Sequence, residues 1–279
     1  MNFRIAIDSC GELLPEWKGD PRYVSVPLTL MVGDEVIIDD ETFDQAHFLS
    51  AVAACPECPH SACPSPELYR QAFDCDAEHV YGITLSAELS GSYNSALLGR
   101  SLVLEEKPDK KIYVFNSRSA SIGQTLIGMK ITECEEAGMP FEEIVETVEA
   151  YIDTQVTYFV LDSLESLRKN GRLSRVKSIV ANVLKIKPVM TSTPDGAICQ
   201  IDQARGIGKA LIRMVDHMVE NTPDSKNRIL ALSHCNCLER ATRLREDMAA
   251  RLSPMKIVML DTAGVSSLYA CDGGIIVVI

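Results

Sequence analysis

The chain has 279 residues, 46% hydrophobic and 24% charged, enough to bury a large core in one or two domains. With 27 Lys and Arg against 39 Asp and Glu, the net charge is −12, which disfavours a nucleic-acid backbone or an anionic membrane surface as partner. No apolar run approaches the ~20 residues of a membrane span. The opening MNFRIAIDSC lacks the basic start and long apolar stretch of a signal peptide, so a cytoplasmic location is expected.

RIAID (4–8) reads as a short apolar strand, and YVSVPLTLMVGDEVIID (23–39) as a longer extended stretch turning at Gly33-Asp34. Helical periodicity follows over 42–55 and again over 65–75, where Ser65 is the expected N-cap and Pro66 the first helical residue. VYGITL (80–85) and KIYVFNS (111–117) read as strands, followed by helices at about 93–103 and about 120–137, the second ending at Gly138. Residues 140–155 form an amphipathic helix with an acidic start. Alternating strand and helix predicts an α/β fold whose N-terminal parallel sheet carries helices on both faces.

From about residue 158 the pattern changes. YFVLDS (158–163) is a strand, LESLRKNGRLS (164–174) a short helix closed by Asn170-Gly171, and RVKSIVANVLK (175–185) a further helix. A Pro-Asp-Gly turn between two β-like runs in 187–205 predicts a hairpin. Helices at 207–220 and 238–252 then alternate with strands at 228–235, 256–262 and 273–279. A hairpin inside α/β material predicts a second, mixed α/β domain, giving domains 1–156 and 157–279.

Three N-terminal strands end on hydroxyls. Ser9 closes the first, Ser86 the second with Ser90-Gly91-Ser92 beyond it, and Ser117 the third with Ser119 and Ser121 next. In a parallel sheet these carboxyl ends share one edge, where ligands bind. Hydroxyls and helix-terminal N–H groups gathered there suit an anion, whereas a single serine often only caps a helix.

Phosphate-loop, nucleophile-elbow and dinucleotide motifs are missing from the sequence. Ser90 with His234, which ends a strand beside Cys235, leaves one enzymatic alternative, a serine hydrolase acting on an acyl or phosphoryl ester. Cys55, Cys58, Cys63 and His60 raise the question of a zinc or iron–sulfur site. They have no matching second ligand pair, and a reducing cytosol keeps thiols free, so no metal is expected. The remaining hydroxyls, amides and few cations suit a small anionic head group without covalent chemistry. An apolar tail would add ~0.8 kcal/mol per buried CH2.

AIDSCGELLP (6–15), VPLTLMVGDE (26–35), SACPSP (61–66), LSAELSGSYNSA (85–96), VFNSRSASIGQ (114–124), FVLDSLESLRKNGRLS (159–174) and LKIKPVM (184–190) follow one another in the chain. Together they resemble, in order, the signature segments of the DegV family, bacterial fatty-acid-binding proteins that present lipid to a fatty acid kinase. The resemblance implies a protein that is not an enzyme and has no cofactor. It implies a long-chain fatty acid in a tunnel between two domains and a separate kinase subunit as partner. It further implies that Ser61, standing where the family has Thr, and Ser90 with Gly91 hold the carboxylate. Ser117 belongs to the third strand-end segment, and Arg172 matches a family arginine near the head group. Glu12 replaces the usual Asp and Cys63 the usual Gln. The tail SLYACDGGIIVVI lacks the family's histidine, so the head-group network is expected to differ there.

Overall fold

The computed structural model describes residues 2–173 and 185–279, so the helix expected over 175–185 lies, but for Lys185, outside the described residues. The first half forms β1 (Phe3–Asp8), β2 (Tyr23–Val26), β3 (Thr29–Val32), β4 (Glu35–Ile38), α1 (Gln45–Ala54), β5 (His60–Ala62), α2 (Pro66–Phe73), β6 (His79–Thr84), α3 (Ser92–Glu106), β7 (Lys111–Asn116), α4 (Ile122–Glu136) and α5 (Phe141–Thr154). The second half forms β8 (Thr157–Val160), α6 (Glu165–Lys169), β9 (Ile186–Ser192), β10 (Ile198–Arg205), α7 (Ile207–Asn221), β11 (Ile229–His234), α8 (Leu238–Leu252), β12 (Lys256–Asp261), α9 (Gly264–Ala270) and β13 (Ile275–Val278).

The expected α/β class is what the chain adopts. A four-stranded sheet, ordered β2-β1-β6-β7, is parallel throughout. A six-stranded sheet, ordered β10-β9-β8-β13-β11-β12, is mixed: β11 and β12 run parallel and the other neighbours antiparallel. The Pro-Asp-Gly turn joins β9 to β10, as the sequence predicts. Ser65 caps α2, accepting from the Leu68 N–H at 3.3 Å with Pro66 next.

Two local features depart from the sequence reading. The stretch 23–39 is not continuous: β2 pairs with β1, while β3 and β4 leave to form a small antiparallel sheet, β4-β3-β5. The break falls at Pro27, which has no N–H to continue a ladder. The third strand of that sheet, β5, lies in the Cys-rich segment and sets Ser61 opposite Leu30. Helix α9 also has no counterpart in the sequence reading. It is short, rich in small and hydroxyl residues, and carries too little apolar periodicity to stand out.

Helix α4 lies between the parallel sheet and the β11–β13 part of the mixed one. Its first seven residues, Ile122–Gly128, are all buried. A helix that is apolar all round belongs in a core. A Cβ at Gly128 would stand 2.9 Å from the Trp17 ring, and one at Gly123 would collide with Ser119, so both glycines allow close seating. Trp17 in turn stacks on Tyr23, with ring centroids 4.5 Å apart.

The tip of the β9–β10 hairpin rests on the ends of β6 and β7. Ser86 Oγ donates to the Gly196 carbonyl at 2.8 Å. Gly196 has φ +88°, and a Cβ there would meet Ser86 Oγ and stand 2.7 Å from Arg118 Cα. Gly196→Ala is therefore expected to lower the unfolding free energy by about 1–3 kcal/mol. Chemical denaturation measures this, and an unchanged midpoint would mean that the tip does not bear on β6 and β7.

Candidate ligand-binding site

Just before α4 begins, the two large sheets face each other across a cavity that is partly open to solvent. Alternate residues of β8 and its extension, Thr157, Phe159 and Leu161, point into it, as the two-residue period of a strand requires. Leu85, Leu167, Val265 and Ile276 complete a mainly apolar wall.

One end of the cavity is polar and built by four elements. Ser61 comes from β5, Ser90 from the loop before α3, Arg172 from the turn after α6 and Tyr269 from α9. Ser61 Oγ lies 3.1 Å from Tyr269 Oη. The Arg172 guanidinium sits 5.5 Å from the centre of the Tyr269 ring. Its Nε donates to the Leu89 carbonyl at 3.1 Å and its Nη1 to the Asn170 carbonyl at 2.6 Å, so main-chain carbonyls hold it without cancelling its charge. Ser90 Oγ lies 3.0 Å from Ser92 Oγ and accepts from the Ser92 N–H at 3.2 Å. The structure thus places Ser61, Ser90 and Arg172 at one end of the same cavity. It adds Tyr269, which sequence reasoning missed. The spacing Val265, Leu268, Tyr269 within an otherwise featureless segment was the available signal.

Gly91 and Ser117 do not reach the cavity surface. Gly91 is the N-cap of α3, and a Cβ there would stand 3.1 Å from Cys63 Sγ, so its role is to let the Cys63 segment pack closely. Ser117 is buried; its hydroxyl donates to the Ser119 carbonyl at 3.0 Å and accepts from the Ser119 N–H at 3.1 Å. Ser9 and Ser86 are used in the same internal way, the first donating to Asp39 at 2.9 Å and the second to Gly196. The hydroxyls that line the cavity come later in the second and third of these loops, at Ser90, Ser119 and Ser121, while the first contributes Cys10.

His234 is buried at the end of β11, is not part of the cavity wall, and has Nδ1 3.1 Å from Asp261 Oδ1 but off line for a hydrogen bond. Burial pushes its pKa down. Ser90 has Ser92 as its partner rather than an imidazole. Cys58 accepts from Asn170 Nδ2 at 3.7 Å, Cys63 lies 3.9 Å from Ser95 Oγ, and Cys55 packs beside Gly33. Among the described residues no three His, Cys, Asp or Glu side chains gather as a metal site.

Three buried carboxyls brace the cavity from behind. Asp8 accepts from the Leu85 N–H at 2.7 Å and from Gln124 Nε2 at 2.8 Å. Glu12 accepts from Ser121 Oγ at 2.8 Å, and that hydroxyl lies 2.7 Å from Ser233 Oγ. Asp39 accepts from the N–H groups of Gly264 and Val265 at 2.8 and 2.9 Å, which anchors the start of the helix carrying Tyr269. Burial outweighs these hydrogen bonds and pushes Asp8 up to about 6, Asp39 to about 6 and Glu12 to about 7. The folded protein therefore keeps protons on these groups where the unfolded chain has lost them. Their contribution to stability is fully present below the ordinary carboxyl pKa values of 3.8 and 4.5 and is lost as pH rises through about 6 and 7. Surface acids held low by cations, such as Glu67 beside Arg70, titrate below this window. The thermal midpoint is expected to fall by ~5 °C or more between about pH 5 and pH 8, with a smaller fall in Glu12→Gln. Calorimetry across that range checks this, and a midpoint that rises with pH would contradict it.

No helix among the described residues is long and apolar enough to cross a membrane. A family model described as "Uncharacterised protein, DegV family" matches residues 2–279. A DegV domain-containing protein of Streptococcus pneumoniae is 34% identical over 281 residues, covering 99% of this chain and 98% of its own. The crystal structure of a DegV family protein from Ruminococcus gnavus, refined with vaccenic acid, superposes with a TM-score of 0.96 at 49% identity and 99% coverage of both chains. The Streptococcus pneumoniae Fatty Acid Kinase (Fak) B3 protein, loaded with linoleic acid, superposes at 0.87 with 31% identity, covering 100% of this chain and 99% of its own. Matched along its whole length in sequence and in fold, the chain belongs to the DegV family.

Proposed function

We propose that this chain is a non-catalytic cytoplasmic carrier. It holds one long-chain fatty acid between its two halves, divided near residue 156, and offers the carboxylate to a separate kinase. The observation that carries this reading is the polarity of the cavity: apolar walls lead to an end where the Arg172 guanidinium stands beside the neutral hydroxyls of Ser61, Ser90 and Tyr269. That combination suits a carboxylate on an alkyl chain, since the guanidinium answers the charge and the hydroxyls donate to the oxygens. Vaccenic acid in the Ruminococcus gnavus relative and linoleic acid in the Fak B3 protein support it.

Ser61, Ser90, Arg172 and Tyr269 would then touch the head group. Gly91 and Ser117 would serve from behind, by admitting the Cys63 segment and by shaping the loop that carries Ser119. All four head-group residues are only partly buried, so the carboxylate they hold would remain within reach of a partner. The chain's contribution to phosphoryl transfer is then positioning of one oxygen nucleophile.

Organic extraction of the denatured protein, followed by mass spectrometry, is expected to release one long-chain fatty acid per chain. An empty extract, together with no uptake of added fatty acid, would reject the carrier reading. Ser61→Ala and Ser90→Ala are each expected to weaken fatty-acid binding by about 1 kcal/mol, and Arg172→Ala by about 2–3 kcal/mol. Tyr269→Phe keeps the ring under Arg172 and should cost about 1 kcal/mol. Titration calorimetry measures all four, and unchanged affinity in the Ser61→Ala/Ser90→Ala double variant would remove both serines from the head-group set.

A further inference from the structure

The end of the cavity away from Arg172 is also polar. Along β8 and its extension the inward-facing residues run from Leu161, at the Arg172 end, to Thr157, four residue steps or roughly 13 Å away. Around Thr157 the wall changes from aliphatic groups to hydroxyls. Ser119 Oγ lies 2.6 Å from Thr157 Oγ1, and Ser192, on the neighbouring strand β9, accepts the Thr157 N–H at 3.2 Å. All three line the cavity, and Gly196 at the hairpin tip lines it beside them.

The protons at this end are not all used. In the Ser119–Thr157 pair one hydroxyl donates to the other, and among the described residues the remaining proton reaches only the Ala120 carbonyl, to which Ser119 Oγ donates at 3.5 Å. Ser192 Oγ receives an N–H and gives its own proton to no acceptor among the described residues. At least one O–H donor therefore faces the cavity unanswered, together with lone pairs able to accept. Arg118 lines the same end, but its guanidinium is paired with Asp153 at 2.7 Å and Glu149 at 3.7 Å. With that charge already met, the end offers hydroxyls rather than a free cation. It suits a neutral oxygen and not a second carboxylate.

We propose that this cavity selects fatty acids carrying a neutral oxygen, a hydroxyl foremost, on the distal part of the chain, bound by Ser119, Thr157 and Ser192. The inference rests on the fatty-acid reading above and narrows its ligand class. A methyl terminus at this end covers the Ser192 donor without giving it an acceptor, whereas a hydroxyl accepts from it and can donate to a neighbouring hydroxyl oxygen.

Titration calorimetry of the delipidated full chain with dodecanoic, tetradecanoic and hexadecanoic acids, and with their ω-hydroxy counterparts, tests this. At the length that fits, the ω-hydroxy acid is expected to bind ~10-fold more tightly than its parent. Ser192→Ala combined with Thr157→Val should abolish that preference, so that the ω-hydroxy acid and its parent bind the variant alike. If the parent acids bind and no ω-hydroxy acid is preferred at any length, the inference is overturned and the carrier reading stands. A preference that survives in the double variant overturns the assignment to these residues. If neither series binds, the carrier reading itself fails and this inference falls with it.

Discussion

Everything in this molecule is spaced by the burial of α4. Two sheets that grip one helix from opposite sides are held apart by about a helix diameter, roughly 10 Å. Gly123 and Gly128 remove the side chains that would otherwise push Ser119 and Trp17 away. The helix starts at Ile122, but the gap between the sheets continues past it. There the chain offers only Ser119, Ala120 and Ser121, too small to fill the slot that the helix occupies further on. The cavity is the empty continuation of that slot, so a packing decision made in the core creates the binding space at the strand ends.

The architecture was legible in the sequence wherever one element had a strong period or a clear stop. β1, β6 and β7 are short apolar runs, α5 and α8 are amphipathic, and the Pro-Asp-Gly turn marks its hairpin. The polar end of the cavity was only partly legible, because two of its four contributors sit on elements with no pattern of their own. Strand β5 is three residues long and is held by its pairing with β3, which is a tertiary fact. Helix α9 is seven residues long and is anchored by Asp39, more than two hundred positions away in the chain. Serines were the other difficulty. The sequence shows them clustered at strand ends but cannot say which hydroxyls turn inward. Ser9, Ser86 and Ser117 hold loops together, and the hydroxyls that follow Ser86 and Ser117 line the cavity.

An acidic protein proposed to bind an anion must manage its own charge. Most of the acidic groups are on the surface, where screening over ~8 Å and nearby cations blunt their field. Behind the cavity wall lie Asp8, Glu12 and Asp39, and burial raises them to about 6, 7 and 6, so each carries less negative charge near neutral pH than a surface carboxyl does. What charge remains is met by the chain's own donors: Leu85 N–H and Gln124 at Asp8, Ser121 at Glu12, and the Gly264 and Val265 N–H groups at Asp39. Arg172 can then act over a short range, held by carbonyls on one side and by the Tyr269 ring on the other.

The seat of Trp17 bears on how the molecule reports on itself in solution. It is the chain's single tryptophan, and it is buried against Gly128, six residues along α4 from the cavity end and roughly 9 Å away along the helix axis. Its emission is governed by the stacked Tyr23 ring and by the integrity of the α4 packing, neither of which borders the ligand space. Tryptophan emission is thus a gauge of whether the core is assembled rather than of whether the cavity is filled. Occupancy has to be read from the ligand, or from Tyr269, the aromatic side chain that shares the polar end with the guanidinium.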